Sequence, residues 1–421
     1  MHHSDYPLSE VPTSARKGLL STSAVLLGFT FFTATMWAGG TLGQAFPIGQ
    51  LLWIILIGNL LLGGYAAALA YIACKSGLNS VLMGRFCFGE KGSKLSDFIL
   101  GFTQIGWYAW GTATIALVLV RTTGMPEWLE IPLMVLFGFG FCVTAMIGYK
   151  GMDLLSRFAV PAMMLFILIS LFTGLVDVRG FAGLSQQTPT ESMSVAAAIT
   201  VIIGTFISGG TQATNWSRFA KTPKIAVIST LAAFFVGNGL MVLTGALGTM
   251  IYQQADIVDV LIAQGFVTIA VLMLFLNIWT TQDNTIYNFA VAGCNLLRTE
   301  KRRLVTVGGA AIGTVLAVGG MYNLLIPFLV LLGTFIPPMG GVIMADFWLK
   351  HKGRYPALDA AQLPDFNRRG LAAYALGAGA AYFSPLLPPL VGVAAAAGSY
   401  AVLLRLNHAT LSDTLPSPAK Q

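Results

Sequence analysis

Twelve apolar stretches alternate with short polar connections along the chain, at about 20–42, 50–73, 96–120, 130–149, 153–177, 194–217, 225–250, 264–289, 304–321, 323–348, 370–386 and 388–405. Most are near the ~20 residues that a helix needs to cross the hydrocarbon core. The longest connections are 75–95 and 350–369. The stretch 252–263, QQADIVDVLIAQ, reads as a short interfacial helix instead of a span. This pattern predicts an all-α polytopic membrane protein with twelve transmembrane helices. It divides into an N-terminal tail (1–19), one transmembrane unit (20–405) and a C-terminal tail (406–421).

Polar residues inside four of the stretches break the pattern. The eighth contains LMLFLNIWTTQDNTIYNF (272–289), where Asn277, Thr280, Thr281 and Asn284 recur at i, i+3, i+4, i+7 and share one helix face. Asp283 points about a third of a turn away from it. Polar groups at membrane depth are expensive and mark pathways or sites. The third stretch carries TQIGWYAWG (103–111), with Gln104 and Trp107 on one face. The first and sixth carry GFTFFTATMWAGGTLG (28–43) and GTFISGGTQATNW (204–216). Their glycines, Gly28, Gly39 and Gly40 in one and Gly204, Gly209 and Gly210 in the other, are expected to interrupt the helices. Two interrupted spans, five spans apart, predict an inverted repeat with the site at the breaks.

Composition agrees with a membrane protein: 56% of the 421 residues are hydrophobic and 10% charged, against about 25% charged in a soluble domain. The net charge of +7 does not call for nucleic acid. With the N-terminus inside, 22 of the 24 Lys and Arg residues fall in inside segments, and only Arg121 and Arg179 lie outside. That bias places both termini in the cytoplasm. The first 17 residues are polar and do not read as a signal peptide. Cys74, Cys87, Cys142 and Cys294 have no CxxC spacing, and His2, His3, His351 and His408 lie in tails or loops. No nucleophile set, metal-ligand set or phosphate loop is legible, which argues against an enzyme or an ATP-driven pump.

The polar faces suit a neutral planar solute. Trp107 and Phe206 offer ring faces for offset stacking. Gln104 offers a donor and an acceptor side by side, and Asn277, Thr205 and Ser208 add hydrogen bonds. No Lys or Arg lies mid-span, so a multiply charged anion fits poorly. Carbonyls freed at a break in the first span, with the Asn277 amide and the Thr280 and Thr281 hydroxyls, are hard oxygen ligands suited to Na⁺. Asp283 is the rival as a proton carrier, and its offset favours a structural or gating role.

The motifs SARKG (14–18), GFTFFTATMWAGGTLG, IGNLLLG (57–63), TQIGWYAWG, GTFISGGT (204–211), LNIWTTQDNTIY (276–287) and IPPMGGVIMADFW (336–348) closely resemble the cytosine permeases of the class-1 nucleobase:cation symporter family. The resemblance implies a leucine-transporter-type fold with helices 1 and 6 broken. Its inverted repeats would be 20–177 and 194–348, followed by two extra helices in 370–405. It implies a bacterial inner-membrane importer of cytosine driven by Na⁺, with no other cofactor, no nucleic acid and no obligate protein partner. Carried over, Trp107 and Phe206 stack on the base, and Gln104, Thr205, Ser208 and Asn277 bind its polar edge. The carbonyls of Gly28 and Phe31 hold Na⁺ together with Asn277, Thr280 and Thr281. Three positions depart from the family pattern: Thr205 stands for Ser, Gln282 for Asn, and Trp110 for a small residue.

Overall fold

The structure, a computed structural model, describes residues 5–412, and these are helical almost throughout. The first apolar stretch is two helices, α1 (Leu19–Thr30) and α2 (Thr33–Ala45), which meet at a 58° bend. Next come α3 (Ile48–Ser76), α4 (Ser80–Phe88) and α5 (Ser93–Thr123). The fourth and fifth stretches are α6 (Glu130–Gly140) with α7 (Cys142–Ile147), and α8 (Tyr149–Asp177), followed by a short α9 (Phe181–Ser185). The sixth is α10 (Val195–Gln212) with α11 (Thr214–Ser217). The seventh is α12 (Pro223–Leu231), continued through a π-helical turn into α13 (Asn238–Tyr252). The remainder are α14 (Ile257–Ala263), α15 (Val267–Leu297), α16 (Arg302–Val318), α17 (Leu325–Phe335), α18 (Pro337–Ala345), α19 (Arg368–Phe383) and α20 (Pro388–Ser412).

Local chemistry explains many of the boundaries. Gly77 ends α3 in the left-handed conformation (φ 73°), where a glycine carries no Cβ penalty. Asn79 caps α4 through its side chain, and Thr222 caps α12 with Pro223 behind it. Asp256 caps α14, the helix expected at the interface. Pro337 and Pro338 lie at the start of α18, where the tenth stretch divides. Helix α20 runs to Ser412, into the expected C-terminal tail, whose last residues, 413–421, lie outside the described ones.

Helices cover all twelve stretches, but by length and hydropathy alone seven segments qualify to cross a membrane, or eight with the bent pair α1–α2. Helices α16 and α19 are short, while α5 and α15 carry the polar residues of the site. Large apolar side chains such as Leu20, Trp53, Phe158, Phe172, Val315 and Phe383 stand on the exterior, as lipid contact requires.

The breaks are not where the glycines pointed. The bend in the first span lies at Phe31 (ψ 86°) and Phe32 (φ −134°), and the kink in the sixth is at Phe206 (φ −137°, ψ 18°). Gly28, Gly39 and Gly40 are helical, as are Gly204, Gly209 and Gly210. A Cβ on Gly39 would run into the backbone of Val242, one on Gly43 into that of Ala246, and one on Gly245 into that of Met36. These glycines let α2 and α13 approach backbone to backbone, the usual use of small residues between membrane helices.

Candidate functional site

At the bend, Phe31 and Phe32 leave the helical conformation, so the last carbonyls of α1 and the first N–H groups of α2 lose their helical partners. The eighth span supplies replacements. Asn277 Oδ1 accepts from the backbone N–H and from the hydroxyl of Thr33, each at 3.0 Å. The Thr281 hydroxyl lies 3.1 Å from the carbonyl oxygens of Phe31 and Asn277. Thr280 donates to the Leu276 carbonyl at 2.8 Å. Thr280 and Ser156 of α8 both pack against the face of Gly28 where a Cβ would stand. Gly28, Phe31, Asn277, Thr280 and Thr281 therefore gather at one junction.

Beside this junction is a small, nearly closed cavity lined by Phe29, Phe32, Gln104, Trp107, Thr205, Phe206, Ser208, Gly209, Thr281 and Thr285. Five of the six residues expected at the solute are on that wall. Asn277 is not; its Oδ1 holds Thr33, while its buried Nδ2 has no partner among the described residues. The Trp107 and Phe206 rings both meet Phe32 edge-on, with centroids 5.5 and 6.4 Å away. Further aromatic rings pack around Trp107: Phe328 meets it edge-on, and Trp110, beside it, is stacked on Tyr322 at 5.6 Å.

The polar groups of the wall are held by amides that sequence reasoning did not single out. Asn215 Nδ2 donates to Asn288 Oδ1 at 2.7 Å, and Asn288 Nδ2 donates to Gln104 Oε1 at 3.4 Å. That chain leaves the buried Gln104 Nε2 without a partner among the described residues. A buried donor left unpaired is costly, and this one belongs to a residue of the cavity wall. The Thr205 hydroxyl is engaged, donating to the Ile202 carbonyl (2.7 Å) and accepting from Asn238 Nδ2 (3.2 Å). Asn238 also donates to Asn59 and accepts from Thr35, tying α2, α3 and α10 together. Asn59, Asn215, Asn238 and Asn288 are all buried, and an amide inside an apolar stretch was the signal available for them. Phe29 and Phe32, ordinary apolar residues by sequence, gave none.

Asp283 stands apart from the cavity wall. It is fully buried, and its carboxylate accepts from the Thr144 hydroxyl of α7 and from Asn284 Nδ2, both at 3.0 Å. Gln282 turns to α5, donating to the Tyr108 carbonyl (2.6 Å) and to Thr112 (3.1 Å). Asp346, at the end of the tenth stretch, lies 3.3 Å from Lys350 and 3.5 Å from His351. Among the described residues, no three His, Cys, Asp or Glu side chains cluster as metal ligands.

The profile of the family described as permease for cytosine/purines, uracil, thiamine, allantoin matches residues 10–403. The cytosine permease of Escherichia coli strain K12 is 39% identical over 394 residues, which cover 93% of this chain and 92% of that one. The chain belongs to this family. It is a transporter and not an enzyme. The allantoin permease of Bacillus subtilis strain 168 is 25% identical over 89% of each chain. In fold, the permease resembles Mhp1, a nucleobase-cation-symport-1 family transporter solved in a closed conformation with bromovinylhydantoin bound. The TM-score is 0.86 at 18% identity, covering 100% of this chain and 98% of that one. The all-helical transporter fold expected from the motifs is therefore the observed one.

Proposed function

We propose that this permease imports cytosine together with Na⁺ by alternating access, across a bacterial inner membrane, with both termini in the cytoplasm. The observation that carries this reading is the unpaired Nε2 of Gln104 in the cavity that Trp107 and Phe206 also line. An amide donor beside two aromatic faces suits a flat heterocycle with acceptors on its edge. Gln104 donates to the base, Trp107 and Phe206 stack on it, and Ser208 adds a polar contact, while Asn277, off the cavity wall, acts by holding the bend. Thr205 acts through its contact surface, since its hydroxyl is already engaged. The 39% identity to a cytosine permease supports cytosine over other bases.

Na⁺ sits at the bend of the first span in this reading. The Phe31 carbonyl faces the Thr281 hydroxyl there, Gly28 packs beside Thr280, and Asn277 braces the bend. An ion that ties α1 to α15 favours one arrangement of these helices and so couples its own gradient to solute binding.

The test is uptake of radiolabelled cytosine into cells without a cytosine transporter of their own, in Na⁺ or in choline. Unlabelled uracil, adenine, hydantoin and allantoin serve as competitors. The expected result is accumulation against the gradient, dependent on Na⁺ and blocked by cytosine alone. Uptake that only equilibrates points to an uncoupled facilitator. Uptake in choline removes Na⁺ from the reading, and competition by allantoin or hydantoin removes the selectivity.

A further inference from the structure

The seventh span is interrupted, and none of the sequence motifs marks the place. Between α12 and α13 the chain makes one π-helical turn, Ala232–Gly237, and Asn238 follows it directly. A π-turn inside an α-helix is rare and is frequently found at functional sites. This one touches the breaks of both the first span and the sixth.

Its residues straddle the bend of the first span. A Cβ on Gly237 would stand 2.6 Å from Thr30 Oγ1 and 3.5 Å from a ring carbon of Phe31, at the end of α1. The next residue, Asn238, accepts from the Thr35 hydroxyl of α2 at 3.2 Å. The same turn grips the kink of the sixth span. The Phe234 ring meets the Phe206 ring edge-on, with centroids 5.8 Å apart. Four residues on, Asn238 Nδ2 donates to the Thr205 hydroxyl at 3.2 Å.

Asn238 is fully buried, and both hydrogens of its amide are used, one by Thr205 and one by Asn59 Oδ1 at 2.8 Å. Asn59 is tied in turn to the Ile55 carbonyl of its own helix at 2.9 Å, so the amide is anchored on α3. The rings of Phe29 and Phe32 also meet Phe206 edge-on, but ring edges can slide, whereas a hydrogen bond fixes a direction. We propose that Asn238 is a positioning residue that couples the two breaks. An ordered bend sets Thr35, Thr35 sets Asn238, and Asn238 sets Thr205 beside Phe206 on the solute wall. Asn238 itself is not on that wall. This inference rests on the Na⁺-coupled reading above.

The test is equilibrium binding of radiolabelled cytosine to the purified permease, in Na⁺ and in choline at constant ionic strength. The ratio of the two Kd values measures the coupling, and about 5–150-fold is the usual range for two linked sites. Thr35→Val keeps the shape of the side chain and removes the hydroxyl that reaches Asn238. It is expected to lower the ratio at least about fivefold, with the Kd in choline that of the parent. Thr35→Ser keeps the hydroxyl and is expected to restore the parent ratio. Asn238→Ala removes the amide itself and serves if the valine variant does not fold. A parent ratio in Thr35→Val overturns the inference, even if binding is weaker in both media, and leaves the coupling to the rings of Phe29 and Phe32. A Thr35→Ser ratio as low as that of Thr35→Val overturns it as well. No effect of Na⁺ on the parent overturns the coupled reading and the inference with it.

Discussion

Asn277 Oδ1 accepts both the backbone N–H and the hydroxyl of Thr33, at 3.0 Å each. One side chain of α15 thus does for α2 what an N-cap residue does within its own chain segment. Asn277→Ala leaves a buried N–H and a buried hydroxyl unpaired, at a cost of about 1–3 kcal/mol for each. The variant should unfold at a lower temperature and lose Na⁺-dependent uptake, because the bend also presents the Phe31 carbonyl. A thermal unfolding series and an uptake assay check the two effects separately. Unchanged stability would mean that another group takes over at Thr33.

The amide chain Asn215–Asn288–Gln104 makes a different prediction, about affinity. Gln104→Ala removes the donor itself and should raise the cytosine KM about 10–100-fold, the worth of one buried hydrogen bond to a polar ligand. Asn288→Ala leaves Gln104 in place but frees its orientation, so its effect should be smaller. The double variant should be no worse than Gln104→Ala alone, because Asn288 acts through Gln104. Additive losses would show that Asn288 contacts the solute itself.

Most of the architecture could be read from the chain because lipid imposes a simple rule: apolar stretches of about 20 residues are helices. The polar face of α15 was legible for the same reason. The glycine argument failed at Gly39, Gly40, Gly209 and Gly210, because glycine serves close packing as well as helix interruption. What sets the bend is tertiary: Thr33 bonds to Asn277, 244 residues away in sequence, and nothing local marks Phe31 or Phe32. The aromatic wall was half legible. Trp107 stood out beside a glutamine, while Phe29 and Phe32 look like any core residue.

Asp283 tests the choice of ion. Its carboxylate is held by Thr144 and Asn284 and is absent from the cavity wall. Asn at this position keeps an oxygen for the Thr144 hydroxyl. Asp283→Asn should therefore retain concentrative uptake, with the parent's Na⁺ dependence and the parent's pH profile between about pH 6 and 8. Thr281→Ala, which removes the hydroxyl facing the Phe31 carbonyl, should abolish the Na⁺ dependence. The reverse pattern, with Asp283→Asn inactive and Thr281→Ala indifferent, assigns coupling to a proton on Asp283.

The last prediction concerns how the bend is supported from behind. Helix α2 begins at the bend and packs along α13, where Gly39, Gly43 and Gly245 leave no room for a Cβ against the facing backbone. Backbone cannot rotate aside as a side chain can, so Gly245→Ala must push the two helices apart. Overpacking of this kind costs about 1–3 kcal/mol. Its effect should reach the site, because α2 carries Thr33 and Thr35, which bond to Asn277 and Asn238. Gly64, in α3, is the control: nothing lies within 4 Å of its Cβ position. Gly64→Ala should leave the unfolding temperature the same or slightly raised, since alanine is the better helix former by about 0.5–1 kcal/mol. The expected signature of Gly245→Ala is a lower unfolding temperature with a matching loss of equilibrium cytosine binding. Loss of stability with binding intact would show that the bend is held by Asn277 alone, and that the packing of α2 on α13 is separate from the site.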